Sequence, residues 1–167
     1  MGINPWKGAR ISTVPLDFAV TLQSRGRIAG SYFRVAPSED DVEDALKIDA
    51  QRTELPEGKV PLFYIEDFQI GDDGGIPLYF RKDQLLAAWK KEQVKKSNDR
   101  KTTAAPQVKV TELFSVLTKM VNDYDKDDDL SKLILVPPGD SAAKARLCRK
   151  NGGNEEPFRL GERIVVL

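Results

Sequence analysis

Few residues of this chain could carry catalysis. It has 167 residues, no histidine and a single cysteine, Cys148. Without histidine it cannot form a Ser-His-Asp triad, a Cys-His pair or an imidazole-ligated metal site. One thiol cannot form an intramolecular disulfide or a cysteine-rich metal centre. Basic neighbours favour the thiolate of Cys148, but the sequence offers it no base, so we place no catalysis there.

The residues that are present could still support carboxylate acid-base chemistry, a Lys or Ser nucleophile, or a Ca²⁺ or Mg²⁺ site with oxygen ligands. The best match to a known metal site is a Ca²⁺ loop. Its first half resembles the alternating aspartates Asp123, Asp125 and Asp127. Asp128 stands where that loop needs a glycine for its sharp turn, and Ile134 stands where a bidentate glutamate closes it. We therefore predict an acidic, solvated loop without a metal.

Two further features resemble parts of active sites. Glu66 and Asp67 follow an apolar run, a place where open sheets often hold catalytic groups. Adjacent residues of a strand point to opposite faces, so these two carboxylates would not share a substrate. The glycines Gly71, Gly74 and Gly75 are not followed by Lys-Ser/Thr or by a helix, which predicts a turn and not a phosphate-binding loop. We predict that the protein is not an enzyme and binds no cofactor.

The composition is that of a soluble globular domain, with 40% hydrophobic residues and 26 acidic against 26 basic side chains. No stretch approaches the roughly 18 apolar residues of a membrane helix. Residues 1–10 resemble neither a signal nor a transit peptide, which predicts a cytosolic, mature or truncated chain. Acidic residues concentrate in 39–57 and basic residues in 81–101, where Trp89 is the one interior aromatic residue. We interpret both segments as solvated helix faces and predict no nucleic-acid partner.

Apolar runs between turn residues predict an α+β fold with a mixed or antiparallel sheet. Residues 14–22 and 28–35 are joined by a short polar connection, which is typical of a hairpin. The unbroken apolar run at 60–65 predicts the central strand. Pro77 cannot donate to a ladder, so it should lie near the start of its strand or at an edge. The predicted strands are 14–22, 28–35, 60–65, 76–80 and a buried strand at 132–137.

Amphipathic segments predict three helices: 39–48, 83–93 and 112–121. Ser38 is predicted to cap the first of them, because three acidic residues follow it and suit the positive end of the helix dipole. Thr111, after a short strand at 107–110, is predicted to cap the third helix. Its apolar residues follow the i, i+3, i+4, i+7 spacing most closely. The polar segment 95–105 is predicted to be a mobile linker.

Three stretches together match the order and spacing of the motifs of a known family. They are FRVAPSEDDVEDAL at 33–46, KVPLFYIEDFQIGDDGGIPLYFRKDQLLAAW at 59–89, and VKVTELFSVLTKM with LILVPPGDS within 108–141. They resemble the 22-kilodalton Tic family, a soluble component of the translocon at the inner chloroplast envelope that has cyanobacterial relatives. The motifs are apolar strands and turns, so the resemblance concerns the fold first.

The resemblance implies that the chain is the second half of the family's repeat-built domain. On this basis residues 13–141 are predicted to form one domain, with an N-terminal extension at 1–12 and a C-terminal extension at 142–167. The family's first strand-helix unit has no counterpart before Val14, which predicts a fragment, a mature product or a lineage that lost that half.

The resemblance also implies a non-enzymatic chaperone or adaptor that handles precursor polypeptides in the intermembrane space of the plastid envelope. An alternative is a peripheral subunit of a large plastid assembly, such as a photosystem or its antenna at the thylakoid. The polar segment 95–105 and the long extensions favour that alternative, because such segments often become ordered only against a partner. Both interpretations predict a protein peripheral to the membrane, without a transmembrane helix.

Two apolar segments are predicted to bind partners. One is the expected strand at 14–22, with Leu16, Phe18 and Val20 at alternate positions. The other is the C-terminal run, which should pair with that strand or contact another subunit, because exposed apolar edges favour association. Its predicted contacts are Ile164, Val165 and Val166. Six aromatic residues should lie mostly in the core, with a minority of them lining a groove for extended polypeptide. The six are Phe33, Phe63, Tyr64, Tyr79, Phe80 and Trp89.

Overall fold

A computed structural model describes nine parts of the chain: residues 10–12, 14–25, 27–28, 31–49, 54–56, 58–96, 105–123, 130–150 and 164–166. These residues belong to two compact units. One is drawn from Met1–Val35 and Gly139–Leu167, and the other from Ala36–Pro138.

The described elements alternate between helices and short strands along the chain. In order they are β1 (Arg10–Ser12), α1 (Leu16–Ser24), β2 (Arg27–Ile28), β3 (Ser31–Tyr32), α2 (Glu39–Ile48), β4 (Pro61–Tyr64), β5 (Ile76–Tyr79), α3 (Lys82–Lys96), β6 (Lys109–Glu112), α4 (Leu113–Asp123), a 3₁₀ turn (Leu130–Lys132), β7 (Leu133–Val136), α5 (Ser141–Lys150) and β8 (Ile164–Val166). The α+β class predicted from the sequence is confirmed.

A four-stranded mixed sheet is the centre of the unit Ala36–Pro138. Its strand order is β6-β4-β5-β7, with β4 antiparallel to both β5 and β6, and β7 parallel to β5. β4 and β5 pair through Phe63 and Tyr79 alone. Pro61 and Pro77 each lie two residues before that pair and have no N–H with which to extend the ladder. The prediction that Pro77 lies near a strand start is confirmed.

A cluster of core residues lies on one face of this sheet. Phe63 and Tyr79 lie side by side on it and pack with Ala45 of α2 and Leu85 of α3. Phe63 and Leu85 are fully buried. The predictions of a central strand at 60–65 and of helices at 39–48, 83–93 and 112–121 are confirmed within a few residues at each end.

Of the two predicted helix caps, one is confirmed and the other is wrong. Ser38 caps α2 as predicted, because its Oγ accepts a hydrogen bond from the backbone N–H of Asp41 at 3.3 Å. The prediction that Thr111 caps α4 is wrong. Thr111 lies inside β6, and the Glu112 carboxylate instead accepts hydrogen bonds from the N–H groups of Phe114 and Ser115.

Removal of the Ser38 hydroxyl should weaken α2. We expect Ser38→Ala to lower the free energy of unfolding by about 1 kcal/mol, since an N-terminal N–H of the helix loses its partner. Urea unfolding followed by circular dichroism measures this. Thr118→Ala, at an exposed position inside α4, is the matched control and should not destabilise the protein, because alanine is the better helix former. Equal losses in the two variants would contradict the capping role.

The predicted strand at 14–22 is wrong, since Leu16–Ser24 form helix α1. Pro15 precedes it in an extended conformation, and the Pro15 carbonyl accepts the first helical hydrogen bond from Ala19 at 3.1 Å. Proline before the first turn and Asp17 within it are both typical of a helix start. The alternate apolar residues therefore do not share one strand face.

The predicted hairpin between 14–22 and 28–35 is wrong, because 14–22 is helical, and a different, shorter antiparallel pair is present instead. Arg27–Ile28 pair antiparallel with Ser31–Tyr32, so the strand predicted at 28–35 is wrong beyond residue 32. The backbone N–H of Val35 donates instead to Oε1 of Gln23 at 2.6 Å. This bond holds the segment after β3 against α1.

The C-terminal run forms a strand, although its partner differs from the predicted one. Ile164–Val166 pair in parallel with Arg10–Ser12, with Ile164 opposite Arg10. The expected pairing with residues 14–22 is wrong, because that segment is helical. Helix α5, at residues 141–150, was not predicted from the sequence. Its basic composition did not indicate a helix. One signal was present, since Asp140 and Lys144 have the i, i+4 spacing of a helical ion pair, and in the structure their charged groups lie 3.2 Å apart.

Candidate polypeptide-binding edge

β7 is the outermost described strand on one side of the mixed sheet. It pairs with β5 through four residues, from Ile76 opposite Leu133 to Tyr79 opposite Val136. Within the parts of the chain that the structure describes, no strand pairs with its other edge. Half of the backbone N–H and C=O groups of an outer strand point away from its partner. We call this open side of Leu133–Val136 the β7 edge.

The prediction that 132–137 forms a buried strand is partly wrong. The strand exists, but Leu133, Leu135 and Val136 are half-buried and Ile134 is 42% exposed. An all-aliphatic run usually marks a strand covered on both faces. Here the run lies at the border of the sheet, so part of its apolar surface faces solvent.

The β7 edge lacks two of the features that usually protect an outer strand. Its four residues include no charge and no proline, although both are common in edge strands that avoid association. The other outer strand, β6, carries Lys109 and Glu112. Of the two outer strands of the mixed sheet, β7 is therefore the better surface for pairing with another polypeptide.

A glycine turn positions Ile134 at this edge. Ile134 lies opposite Pro77, and its side chain packs directly over Gly75, where a β-carbon would collide with it. Gly75 exchanges two backbone hydrogen bonds with Ile70, at 2.8 and 2.9 Å. Gly71, between these residues, has a positive φ of 72°, a conformation that glycine adopts without strain. The predicted turn at 71–75 is confirmed.

Register places the β7 side chains on two faces. Val136 is level with Tyr79, so it lies on the core face together with Ile134. Leu133 and Leu135 lie on the opposite face, where Leu135 is level with the buried Leu78. A polypeptide that pairs with the β7 edge would thus meet aliphatic side chains on both faces.

The residues predicted to bind partners lie elsewhere. Leu16, Phe18 and Val20 are half-buried residues of α1. Leu16 and Val20 are four residues apart and share a face of the helix, whereas Phe18 lies on another face. The C-terminal residues Ile164, Val165 and Val166 form β8. Their part in partner binding stays a prediction, and α1 and β8 lie in the other unit from the β7 edge.

The carboxylates singled out in the sequence do not assemble into a site. Glu66 and Asp67 are both exposed in the turn after β4. The Glu66 carboxylate accepts a hydrogen bond from Nζ of Lys109 at 2.6 Å, and this bond raises the pKa of Lys109. Asp125 and Asp127 lie outside the described residues, within which no group of three acidic, cysteine or histidine residues could hold a metal ion.

The Glu112 carboxylate is held in place by several hydrogen bonds. Besides capping α4, it receives a hydrogen bond from Nζ of Lys59 at 3.1 Å and one from the Ser115 hydroxyl at 2.9 Å. Burial alone would raise the pKa of Glu112, but these hydrogen bonds and those from the backbone N–H groups of Phe114 and Ser115 together lower it. The arrangement is structural, since it fixes the junction of β6 and α4.

The prediction that the aromatic residues lie mostly in the core is confirmed only in part. Phe63 and Tyr79 are buried, and burial raises the pKa of Tyr79. Half-buried positions are occupied by Phe33, Tyr64, Phe80 and Trp89. In the described parts of the chain, no helix has both the length and the apolar character needed to span a membrane.

Comparisons with known proteins identify the class. The model of the Tic22-like family matches residues 5–147, so the chain belongs to the Tic22-like family. This confirms the resemblance seen in the sequence and extends it on the N-terminal side. It makes the chain a Tic22-type, translocon-related protein. No curated protein matches the sequence.

Two solved structures are similar to this chain. Tic22 from Anabaena, described as a protein-transport structure, has a TM-score of 0.53 and 18% identity over 87% of this chain and 64% of its own. Tic22 from Plasmodium falciparum has a TM-score of 0.49 and 22% identity over 84% of this chain and 63% of its own. The chain thus spans less than two thirds of either structure, and the likeness to the Anabaena protein concerns the fold.

Proposed function

We propose that this chain is a non-enzymatic plastid protein that acts as a chaperone or adaptor for precursor polypeptides of the import translocon, in the intermembrane space of the envelope. The observation that carries the proposal is the β7 edge, an uncharged aliphatic strand with unpaired backbone groups among the described residues and with Ile134 exposed. Polypeptides in transit are unfolded and expose backbone and apolar side chains. The β7 edge offers the complementary groups.

Membership of the Tic22-like family supports this role, because the family is related to the protein translocon. The similar Anabaena protein is itself described as one of protein transport. A non-enzymatic role agrees with the position of Glu66, a carboxylate singled out in the sequence, which is exposed and forms an ion pair with Lys109.

Co-purification from intact plastids tests the proposal. The native protein should recover translocon subunits and precursor polypeptides. Recovery of chlorophyll-protein subunits instead would support the alternative of a peripheral subunit of a photosynthetic assembly and contradict the proposal.

Direct binding to purified precursor is the second test. An unfolded precursor should bind the full chain and aggregate less in its presence. The same precursor in its folded, processed form is the control and should not bind. Equal binding of the folded and unfolded forms, or binding of neither, would contradict a role in handling precursors.

A further inference from the structure

We infer that the β7 edge takes up an uncharged, extended segment of the client polypeptide as an added strand of the mixed sheet. The inference rests on the proposed function and specifies its site, its binding mode and the class of segment that fits. It concerns the unit Ala36–Pro138 alone.

The backbone sets the binding mode and its length. β7 has four residues, and one side of it is occupied by β5. The strand is preceded by Lys132 and followed by Pro137 and Pro138, and neither proline can donate a hydrogen bond to a ladder. The paired segment of the client is therefore short, about four residues, with donors and acceptors alternating along it.

The side chains set the class of client. An added strand would have alternate residues beside Ile134 and Val136 on the core face of the sheet, and the others beside Leu133 and Leu135 on the opposite face. Because both rows are aliphatic, a charged client residue on either face would lose hydration without gaining a partner. Apolar or β-branched residues on both faces fit best, since such residues stabilise cross-strand pairs.

The outer side of β6 fits such a segment less well. Lys109 of that strand forms a 2.6 Å ion pair with Glu66, and Glu112 is engaged with Lys59 and with the start of α4. An apolar strand added there would lie beside charged groups. Selection between the two outer strands thus follows from their charge.

Backbone methylation of a peptide tests the mode with the protein unchanged. The probe is a fluorescent peptide of about six Val, Ile and Thr residues, whose affinity for the full chain is measured by anisotropy. N-methyl groups on alternate residues should weaken binding at least tenfold when those N–H groups face β7. Methyl groups on the intervening residues should leave it within about twofold, since those N–H groups point outward.

A charge placed in the β7 edge tests the site. Ile134→Lys should weaken binding of the unmethylated peptide at least tenfold. Val121→Lys is the matched control, because Val121 is an exposed valine of α4 at 81% exposure, and it should bind as the unchanged protein does. Circular dichroism should show that both variants are folded.

Three results would overturn the inference: equal binding of both methylated peptides, equal effects of the two lysine variants, or a dimer in sedimentation that Ile134→Lys dissociates. The last would mean that a second copy of the chain occupies the β7 edge. If unfolded precursor binds but methylation and Ile134→Lys have no effect, the inference fails and the proposed function stands. If no precursor binds at all, the proposed function fails.

Discussion

Phe63→Ala should lower the free energy of unfolding by about 3–5 kcal/mol, the largest effect expected of a single substitution in this chain. Phe63 is fully buried in the central strand β4 and packs with residues of two helices, Ala45 and Leu85. Removing the ring takes its apolar surface out of the core and leaves a cavity that the sheet and helices cannot fill completely. Urea unfolding followed by tryptophan fluorescence measures the loss.

The control for this prediction is Val121→Ala. Val121 is a large apolar residue, but it is 81% exposed, so its truncation removes little buried surface and should change stability by less than about 0.5 kcal/mol. If Phe63→Ala is as mild as this control, β4 is not the centre of the core and the packing described for the unit Ala36–Pro138 is wrong.

Glu112→Ala should lower the free energy of unfolding by about 2 kcal/mol near neutral pH. The substitution removes the acceptor for the N–H groups of Phe114 and Ser115 and for the Lys59 ammonium group. A helix cap contributes about 1 kcal/mol, and a hydrogen bond to a charged group in a half-buried place adds a similar amount. The matched control is Glu43→Ala, which removes an exposed i, i+4 pair with Lys47 and should be close to neutral.

The effect of Glu112 should depend on pH. Its pKa is lower in the folded protein than its ordinary value of 4.5, so the carboxylate stabilises the fold above that value. This stabilisation is lost as the pH falls through the lowered pKa of the folded state. The difference in stability between the unchanged protein and Glu112→Ala should therefore shrink below about pH 4.5. A difference that stays constant into acid would show that the charge of Glu112 contributes nothing.

The core elements were predictable because local pattern and tertiary burial agree for them. The run around Phe63 is apolar throughout, and such a run fits a strand that is covered on both faces. Ser38 followed by three acidic residues is a complete helix-start signal, and the structure places the helix there.

α1 was not predictable in the same way. Leu16, Phe18 and Val20 alternate like strand residues, but an apolar segment of only nine residues does not separate a strand from a helix by its period alone. Pro15 and Asp17 carried the helical signal. The cap at Glu112 was missed because a Thr one residue earlier is the commoner capping residue.

The open side of β7 depends on topology that local pattern does not contain. Which strand is outermost follows from pairings between distant segments, such as Ile76 with Leu133. The composition of residues 133–136 indicates an apolar strand, but it fits a buried central strand as well as an outer one. The candidate site therefore became visible only when the order β6-β4-β5-β7 was known.

Photo-crosslinking from residue 134 can show whether a precursor in transit lies against the β7 edge. A photoreactive amino acid is placed at Ile134 of the full chain, and in a second variant at Val121, which is more exposed. Each variant is illuminated during import of a radiolabelled precursor into plastids. We expect a crosslink to the precursor from position 134 and none from position 121. Equal crosslinking from both positions, or none from position 134 while precursor is bound, would contradict binding at the β7 edge.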